Sequence, residues 1–265
     1  MSETTPPAGP PRFDLTGRVT LVTGASRGIG RAIAHAYAAA GARVALASRK
    51  QEALDAVARE IADAGGEPLP VACHTGRADE VDELVEAVVD TWGGIDVVVN
   101  NAATNPHFGP LLTAGEGHWD KTFEINVKGY VHVARAAVPS MRERGGGAIV
   151  NVASIAGHVP YRGLGVYSVS KAAVLMLTKV LARELAADDI RVNAIAPGLI
   201  ETRFSEALWS DPATHGRIAA SVPLGRIGRP EELTGIALYL ASDAASYTTG
   251  AVFFVDGGES VGGGG

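Results

Sequence analysis

Three side chains in one short stretch have the types and spacing for proton transfer to or from a small molecule. They are Ser154, Tyr167 and Lys171 in the run Ser-Ile-Ala-Gly-His-Val-Pro-Tyr-Arg-Gly-Leu-Gly-Val-Tyr-Ser-Val-Ser-Lys. Tyr167 and Lys171 open an apolar run, Ala172-Ala173-Val174-Leu175-Met176-Leu177, that reads as helix. Residues four apart on a helix share a face. An ammonium on the same face as a phenol stabilises the phenolate, so the Tyr167 pKa is expected to fall toward neutrality. Ser154 follows Ala148-Ile149-Val150-Asn151-Val152, a run short enough for a buried strand. A serine hydroxyl at that strand end is placed to hold a carbonyl oxygen. Tyr and Lys four apart also occur on ordinary amphipathic surfaces, so the pattern needs support from the elements around it.

That support begins near the start of the chain. Arg18 to Val22 reads as a strand, Thr23-Gly24-Ala25-Ser26-Arg27-Gly28-Ile29-Gly30 as a glycine turn, Arg31 to Ala40 as a helix and Val44 to Ala47 as a second strand. Strand, turn, helix and strand in about thirty residues make a βαβ unit. The glycines let backbone approach a pyrophosphate, and the helix start presents free N–H groups and a positive dipole end. Gly24-Ala25-Ser26-Arg27-Gly28 also matches the nucleophile elbow of serine hydrolases. That reading needs an acid and then a histidine downstream, and only His215 lies late enough, in a Pro/Gly-broken stretch. Dinucleotide binding is the stronger reading. About twenty residues past the glycine loop the ribose-reading position is Ser48-Arg49-Lys50. No acid stands there, and Arg49, with Arg27, suits a 2′-phosphate. The expected cofactor is therefore NADP(H), with NAD(H) as the alternative.

Further strands are expected at 70–73, 96–101, 148–152, 190–196 and 251–255. Helices are expected at 51–64, 78–92, 119–139, from Tyr167 to about 187, and at 231–240. This alternation predicts one α/β domain: a Rossmann-like, doubly wound, parallel seven-stranded sheet with helices on both faces. The domain spans 13–258, between a loose tail at 1–12 and a flexible glycine-rich tail at 259–265. Residues 203–228 read as a substrate lid. Phe108, His158, Tyr161, Leu208 and Trp209 point to an apolar pocket that tolerates aromatic groups. A net charge of -6 disfavours nucleic acid and anionic membranes as partners. A single cysteine allows no intrachain disulfide, and no apolar run approaches membrane-span length. The seven histidines show no metal-ligand spacing, so no metal site is expected.

Thr23-Gly-Ala-Ser-Arg-Gly-Ile-Gly30, Asn100-Asn-Ala-Ala103, Asn126, Ser154, Tyr167-x-x-x-Lys171 and Pro197-Gly198 stand in the order and spacing of one family. The chain resembles the short-chain dehydrogenase/reductases over roughly residues 13 to 258. Within them it is most similar to NADPH-dependent carbonyl reductases of the dehydrogenase/reductase member 4 type. The residues carrying that closer likeness are Ser48-Arg49-Lys50-Gln51, Cys73-His74, Gly93-Gly94-Ile95-Asp96, Asn105-Pro106, Trp119-Asp120-Lys121-Thr122 and Ala196-Pro197-Gly198-Leu199-Ile200.

The resemblance implies hydride transfer between cofactor and a ketone or secondary alcohol. Tyr167 would be general acid or base, Ser154 would hold the substrate oxygen, Lys171 would bind the nicotinamide ribose, and Asn126 would anchor a proton relay. It implies a cofactor cradle of Gly24, Ser26, Arg27, Gly28, Ile29 and Gly30, continued by Ser48, Arg49, His74, Thr75, Asn101, Ala102, Pro197, Gly198, Ile200 and Thr202. His74 departs from the family, which has an acid there for the adenine amino group. The peroxisomal C-terminal tripeptide of the subgroup is absent, so a cytoplasmic enzyme is expected. The resemblance also implies a homotetramer, packed through the helices at 119–139 and 167–187 and through the C-terminal strand. Alternatives are a 3-oxoacyl-carrier-protein reductase, with Arg203, Arg217, Arg226 and Arg229 as its basic face, a sugar or polyol dehydrogenase, and a catalytically idle cofactor-binding protein.

Overall fold

The structure, a computed structural model, describes residues 13–209 and 212–261. The tail expected at 1–12 and residues 262–265 lie outside the described residues, as do the side chains of Leu208 and Arg217. The first half of the chain is β1 (Val19–Thr23), α1 (Gly28–Ala39), β2 (Arg43–Ser48), α2 (Gln51–Asp63), β3 (Glu67–Ala72), α3 (Ala78–Trp92) and β4 (Val97–Asn100). Then come α4 (Glu116–Phe123), α5 (Gly129–Glu143), β5 (Gly147–Val152), α6 (Gly165–Leu185) and β6 (Ile190–Pro197). The chain finishes with α7 (Glu206–Trp209), α8 (Pro212–Ser221), α9 (Thr234–Ala241) and β7 (Val252–Val255).

All seven strands form one parallel sheet in the order β3-β2-β1-β4-β5-β6-β7. The inner strands are largely apolar and buried because helices cover both faces. Alternate side chains go to opposite sides: Val22, Leu46, Val99 and Val150 pack under α1, α2 and α9, while Leu21, Val98 and Ile149 pack under α3, α5 and α6. Burying each such side chain contributes about 2 kcal/mol. Pro68 and Pro70 sit two apart on edge strand β3, where their missing N–H groups face away from β2.

The expected long helix at 119–139 is instead two helices joined by a π-helical segment, Glu124–Lys128, which carries Asn126. Inserted π turns are rare and mark positions where a side chain must be re-aimed. By length and composition α6 is long and apolar enough to cross a membrane, contrary to expectation. It nonetheless lies on the sheet beside β6, and Ser170, Lys171 and Thr178 are buried along it.

After β3 the chain returns to place β4 beside β1, reversing the direction of winding. The crevice beyond the carboxyl ends of those two strands is where such sheets bind ligands. Thr23 closes it: its hydroxyl donates to the Val99 carbonyl at 3.2 Å and accepts from the Asn101 N–H at 2.9 Å.

Candidate functional site

The glycine loop lies in this crevice. Gly24 and Gly28 adopt φ of 66 and 57°, which favours glycine. Asn101 explains two of the glycines. Its amide donates to the carbonyls of Thr23 at 2.9 Å and Gly24 at 3.2 Å. A Cβ on Gly24 would stand 2.7 Å from that amide nitrogen, and one on Gly30 would stand 2.5 Å from it and from the Gly24 oxygen. Asn101 therefore braces the loop from behind, and Ala102 joins it by donating to Thr23 Oγ1 at 3.2 Å. Thr202 reaches the start of α1 from the far side: a Cβ on Gly28 would meet its methyl at 3.2 Å.

The donor set around this loop fits an anionic dinucleotide. No side chain caps α1 and no acid stands in its first turn, so its free N–H groups and positive dipole end stay available. Arg27, Arg49 and Lys50 are exposed and show no ion pair among the described residues. The Ser48 hydroxyl, at the end of β2, has no hydrogen-bond partner there either. Ser26 and Ile29 are half-buried in the loop itself. Pro197 ends β6, and Gly198 packs against Asp256. The Ile200 side chain is buried against Gly228.

His74 does not stand free at the end of β3. Its Nδ1 lies 3.2 Å from the Gly76 N–H, and its Nε2 lies 3.2 Å from the Lys121 ammonium. Thr75 is buried against Gly129 at the start of α5.

On the other side of the crevice the structure brings Ser154, Tyr167 and Lys171 together. Ser154 caps a short turn at Ile155–Gly157, its oxygen accepting from the Ala156 N–H at 3.1 Å. Its hydroxyl also stands close enough to the Tyr167 phenol to favour the ionised form. Gly157 sets the spacing: a Cβ there would lie 2.6 Å from the Lys171 carbonyl carbon, so the turn rests on bare α6 backbone.

The electrostatics differ from the expected lowering of the phenol. Burial pushes the Tyr167 pKa up to about 12, with the Ser154 hydroxyl opposing it. Burial also pushes Lys171 down to about 7. The reason is geometric. The Lys171 ammonium donates to the Val152 carbonyl at 2.7 Å and the Tyr130 hydroxyl at 3.4 Å, and stands 5.7 Å from the Tyr167 ring centroid. It faces the ring from below in a dry pocket, where desolvation outweighs its attraction for a phenolate.

Asn126 is fully buried and spends its amide locally. Its oxygen accepts from the Thr104 N–H at 2.8 Å, and its nitrogen donates to the Thr104 carbonyl and Ser170 hydroxyl, both at 3.0 Å. It thus ties the loop after β4 to the helix that carries Tyr167 and Lys171. Tyr130, four residues on and also buried, donates to the Val152 carbonyl at 2.9 Å. Tyr130, Thr104 and Gly157 escape sequence reading, because their partners are distant in the chain.

Of the expected pocket side chains, Phe108 is exposed and packs on Gly163. His158 packs at a tilt against Phe254, Tyr161 bonds Glu259, and the Trp209 indole donates to the Thr202 carbonyl at 3.2 Å. The aromatic residue that meets Tyr167 is Phe204, ring centroids 5.9 Å apart and 49% exposed. Its position at the start of the lid was the available signal.

Comparison with known proteins agrees with this geometry. The family model described as enoyl-(acyl carrier protein) reductase matches residues 24–260. The "Dehydrogenase/reductase SDR family member 4" of Oryctolagus cuniculus is 47% identical over 247 residues, covering 93% of this chain and 95% of that protein. Among solved structures, a short-chain type dehydrogenase/reductase from Mycobacterium marinum superposes with a TM-score of 0.89 at 44% identity, covering 93% of this chain and 97% of that one. A gluconate 5-dehydrogenase from Burkholderia cenocepacia in complex with NADP and tartrate gives a TM-score of 0.90 at 34% identity, covering 94% and 98%.

Proposed function

The chain belongs to the short-chain dehydrogenase/reductase family, and from that premise we propose that it reduces ketones to secondary alcohols with NADPH. Its chemistry is that of an NAD(P)-dependent oxidoreductase. The observation that carries the finer reading is the meeting of Ser154, Tyr167 and Lys171 at the cleft, with Phe204 beside the phenol.

Bound NADPH supplies the hydride. The protein does the rest. Ser154 orients the substrate carbonyl through its oxygen, and Tyr167 gives its phenolic proton to that oxygen as charge develops there. A phenol held near 12 keeps its proton at neutral pH and is therefore ready to act as the acid in reduction. Lys171 steadies the ionised tyrosine after transfer. Asn126 holds the Thr104 loop and Ser170 in register with both. Phe204 and Phe108 offer apolar rings to the substrate body.

Arg49 and Arg27 favour NADPH over NADH, since each is an unpaired guanidinium for a 2′-phosphate. Following NADPH and NADH oxidation in parallel with ketones, vicinal diketones and acetoacetyl thioesters tests this. Arg49→Glu should lower kcat/KM for NADPH by about 10- to 100-fold while changing NADH little. Equal loss with both cofactors would refute a 2′-phosphate role. The carrier-protein alternative is weakened by Arg226, which is already locked in a two-pronged pair with Glu232. Turnover confined to the thioester would nonetheless restore it.

A homotetramer is part of the same proposal. Val169, Met176 and Val180 form an exposed apolar stripe on α6, with Val131 exposed on neighbouring α5. Light scattering should give four chains, and Met176→Glu should shift the mass downward. A monomer in the unaltered protein ends this reading.

A further inference from the structure

The turn after β7 is built into the substrate side of the cleft. The Asp256 carboxylate accepts from the N–H groups of Gly258 at 2.9 Å and Ser260 at 2.8 Å, folding the chain back on itself. Gly257 and Gly258 hold φ of 64 and 88°. A Cβ on Gly257 would lie 2.7 Å from Val222 Cγ1, and one on Gly258 would lie 3.0 Å from Pro223 Cγ. The end of the lid therefore rests on bare backbone, and the Leu224 N–H donates to the Gly257 carbonyl at 3.1 Å.

Glu259 reaches the other way. Its Oε1 accepts the Tyr161 hydroxyl proton at 2.9 Å, and its Oε2 lies 3.5 Å from the Leu199 N–H. Tyr161 sits in the loop between Ser154 and Tyr167. Leu199 sits in the segment that runs from β6 to Thr202 on the glycine loop. Burial first, and then the Glu259 charge, holds the Tyr161 pKa well above its ordinary value, so the phenol remains the donor. One half-buried carboxylate thus joins the loop carrying the proton-transfer groups and the segment bordering the cofactor to the turn that seats the lid. The sheet does not need it: β5, β6 and β7 are paired without Glu259.

We propose that Glu259 is a positioning residue for the carbonyl substrate, acting through Tyr161 and Leu199 to hold the pocket wall against Ser154 and Tyr167. The kinetic part of this proposal rests on the reductase reading; the structural part does not.

The test compares Tyr161→Phe, Glu259→Ala, the double variant and Glu259→Gln. In the protein without substrate or cofactor, amide hydrogen exchange in 158–164 should accelerate in both single variants and in 198–202 in Glu259→Ala, which alone frees Leu199, while β5 and β6 amides keep their protection. In turnover, KM for the ketone should rise about tenfold, as expected for one lost hydrogen bond to a charged group. Values of kcat and of KM for NADPH should stay within about twofold, separating positioning from chemistry. The double variant should be no worse than Glu259→Ala, because Tyr161→Phe removes a contact that Glu259→Ala already breaks. Glu259→Gln keeps a carbonyl oxygen for the Tyr161 hydroxyl and should return most of the loss. Unchanged exchange, additive single effects, or an equal fall in kcat overturns the proposal. Absence of ketone turnover in the unaltered protein defeats the reductase reading instead, and the exchange result then decides this one alone.

Discussion

Tyr167→Phe should lower kcat for ketone reduction by about 10²- to 10⁴-fold, the usual contribution of a positioned general acid. The dissociation constant for NADPH, read by quenching of protein fluorescence, should stay within about twofold. The substitution removes one oxygen and leaves the ring. The ring is what Phe204 packs against, at 5.9 Å, and what Lys171 faces, so the pocket keeps its shape. Only the proton source and its contact with Ser154 are lost. Unchanged turnover would mean that water or another group protonates the substrate, and the mechanism fails. Turnover absent in both proteins, with NADPH binding intact, would favour the idle cofactor-binding alternative.

Much of the fold and part of this site are legible in the residues. Apolar runs mark six strands within a few residues of where they lie, whereas Pro68 and Pro70 interrupt the edge strand β3, which runs Glu67–Ala72 and reads from sequence as starting only at 70. Periodicity reports which face of an element is apolar. It therefore places Tyr167 and Lys171 on one side of α6 and the glycine loop at the start of α1. It does not report which groups meet across the sheet. Lys171 turns to Tyr130, 41 residues away, and to Val152, 19 residues away, so its effect on Tyr167 could not be read from their spacing. Tyr161 meets Glu259 across 98 residues, whereas the glycines that follow Glu259 make the sequence read as a flexible tail there. Asn126 interrupts a pattern that otherwise reads as one continuous helix. The π turn at that point pays a local cost in backbone geometry, offset by an amide that makes three hydrogen bonds, two to the Thr104 backbone and one to buried Ser170.

Lys171→Met should make the protein more stable at pH 6 while removing most of its activity. Lys171 is 1% exposed, and burial pushes its pKa from the ordinary 10.5 down to about 7. The folded protein therefore binds this proton less tightly than the unfolded chain. Below about pH 7 both states carry the charge, and the folded state bears the full cost of burying it. As pH rises from about 7 to 10.5 the folded lysine is neutral while the unfolded one is still charged, so the penalty is progressively relieved. Methionine fills nearly the same volume and carries no charge. It leaves no orphaned acceptor either, because the Val152 carbonyl still receives the Tyr130 hydroxyl at 2.9 Å. Replacing a buried charge with an apolar side chain stabilises by about 1–4 kcal/mol, so Tm at pH 6 should rise by several degrees, roughly 2–4 °C per kcal/mol. The advantage should shrink steadily toward pH 10. Loss of the ammonium below the Tyr167 ring should lower kcat by about 10²-fold or more, the trade between stability and activity expected where a site holds an unfavourable charge for its chemistry. Melting curves at pH 6, 8 and 10 beside NADPH-oxidation rates decide it. A variant less stable than the parent at pH 6 would mean that the Val152 hydrogen bond outweighs the desolvation of the ammonium, and the account of this pocket would be wrong.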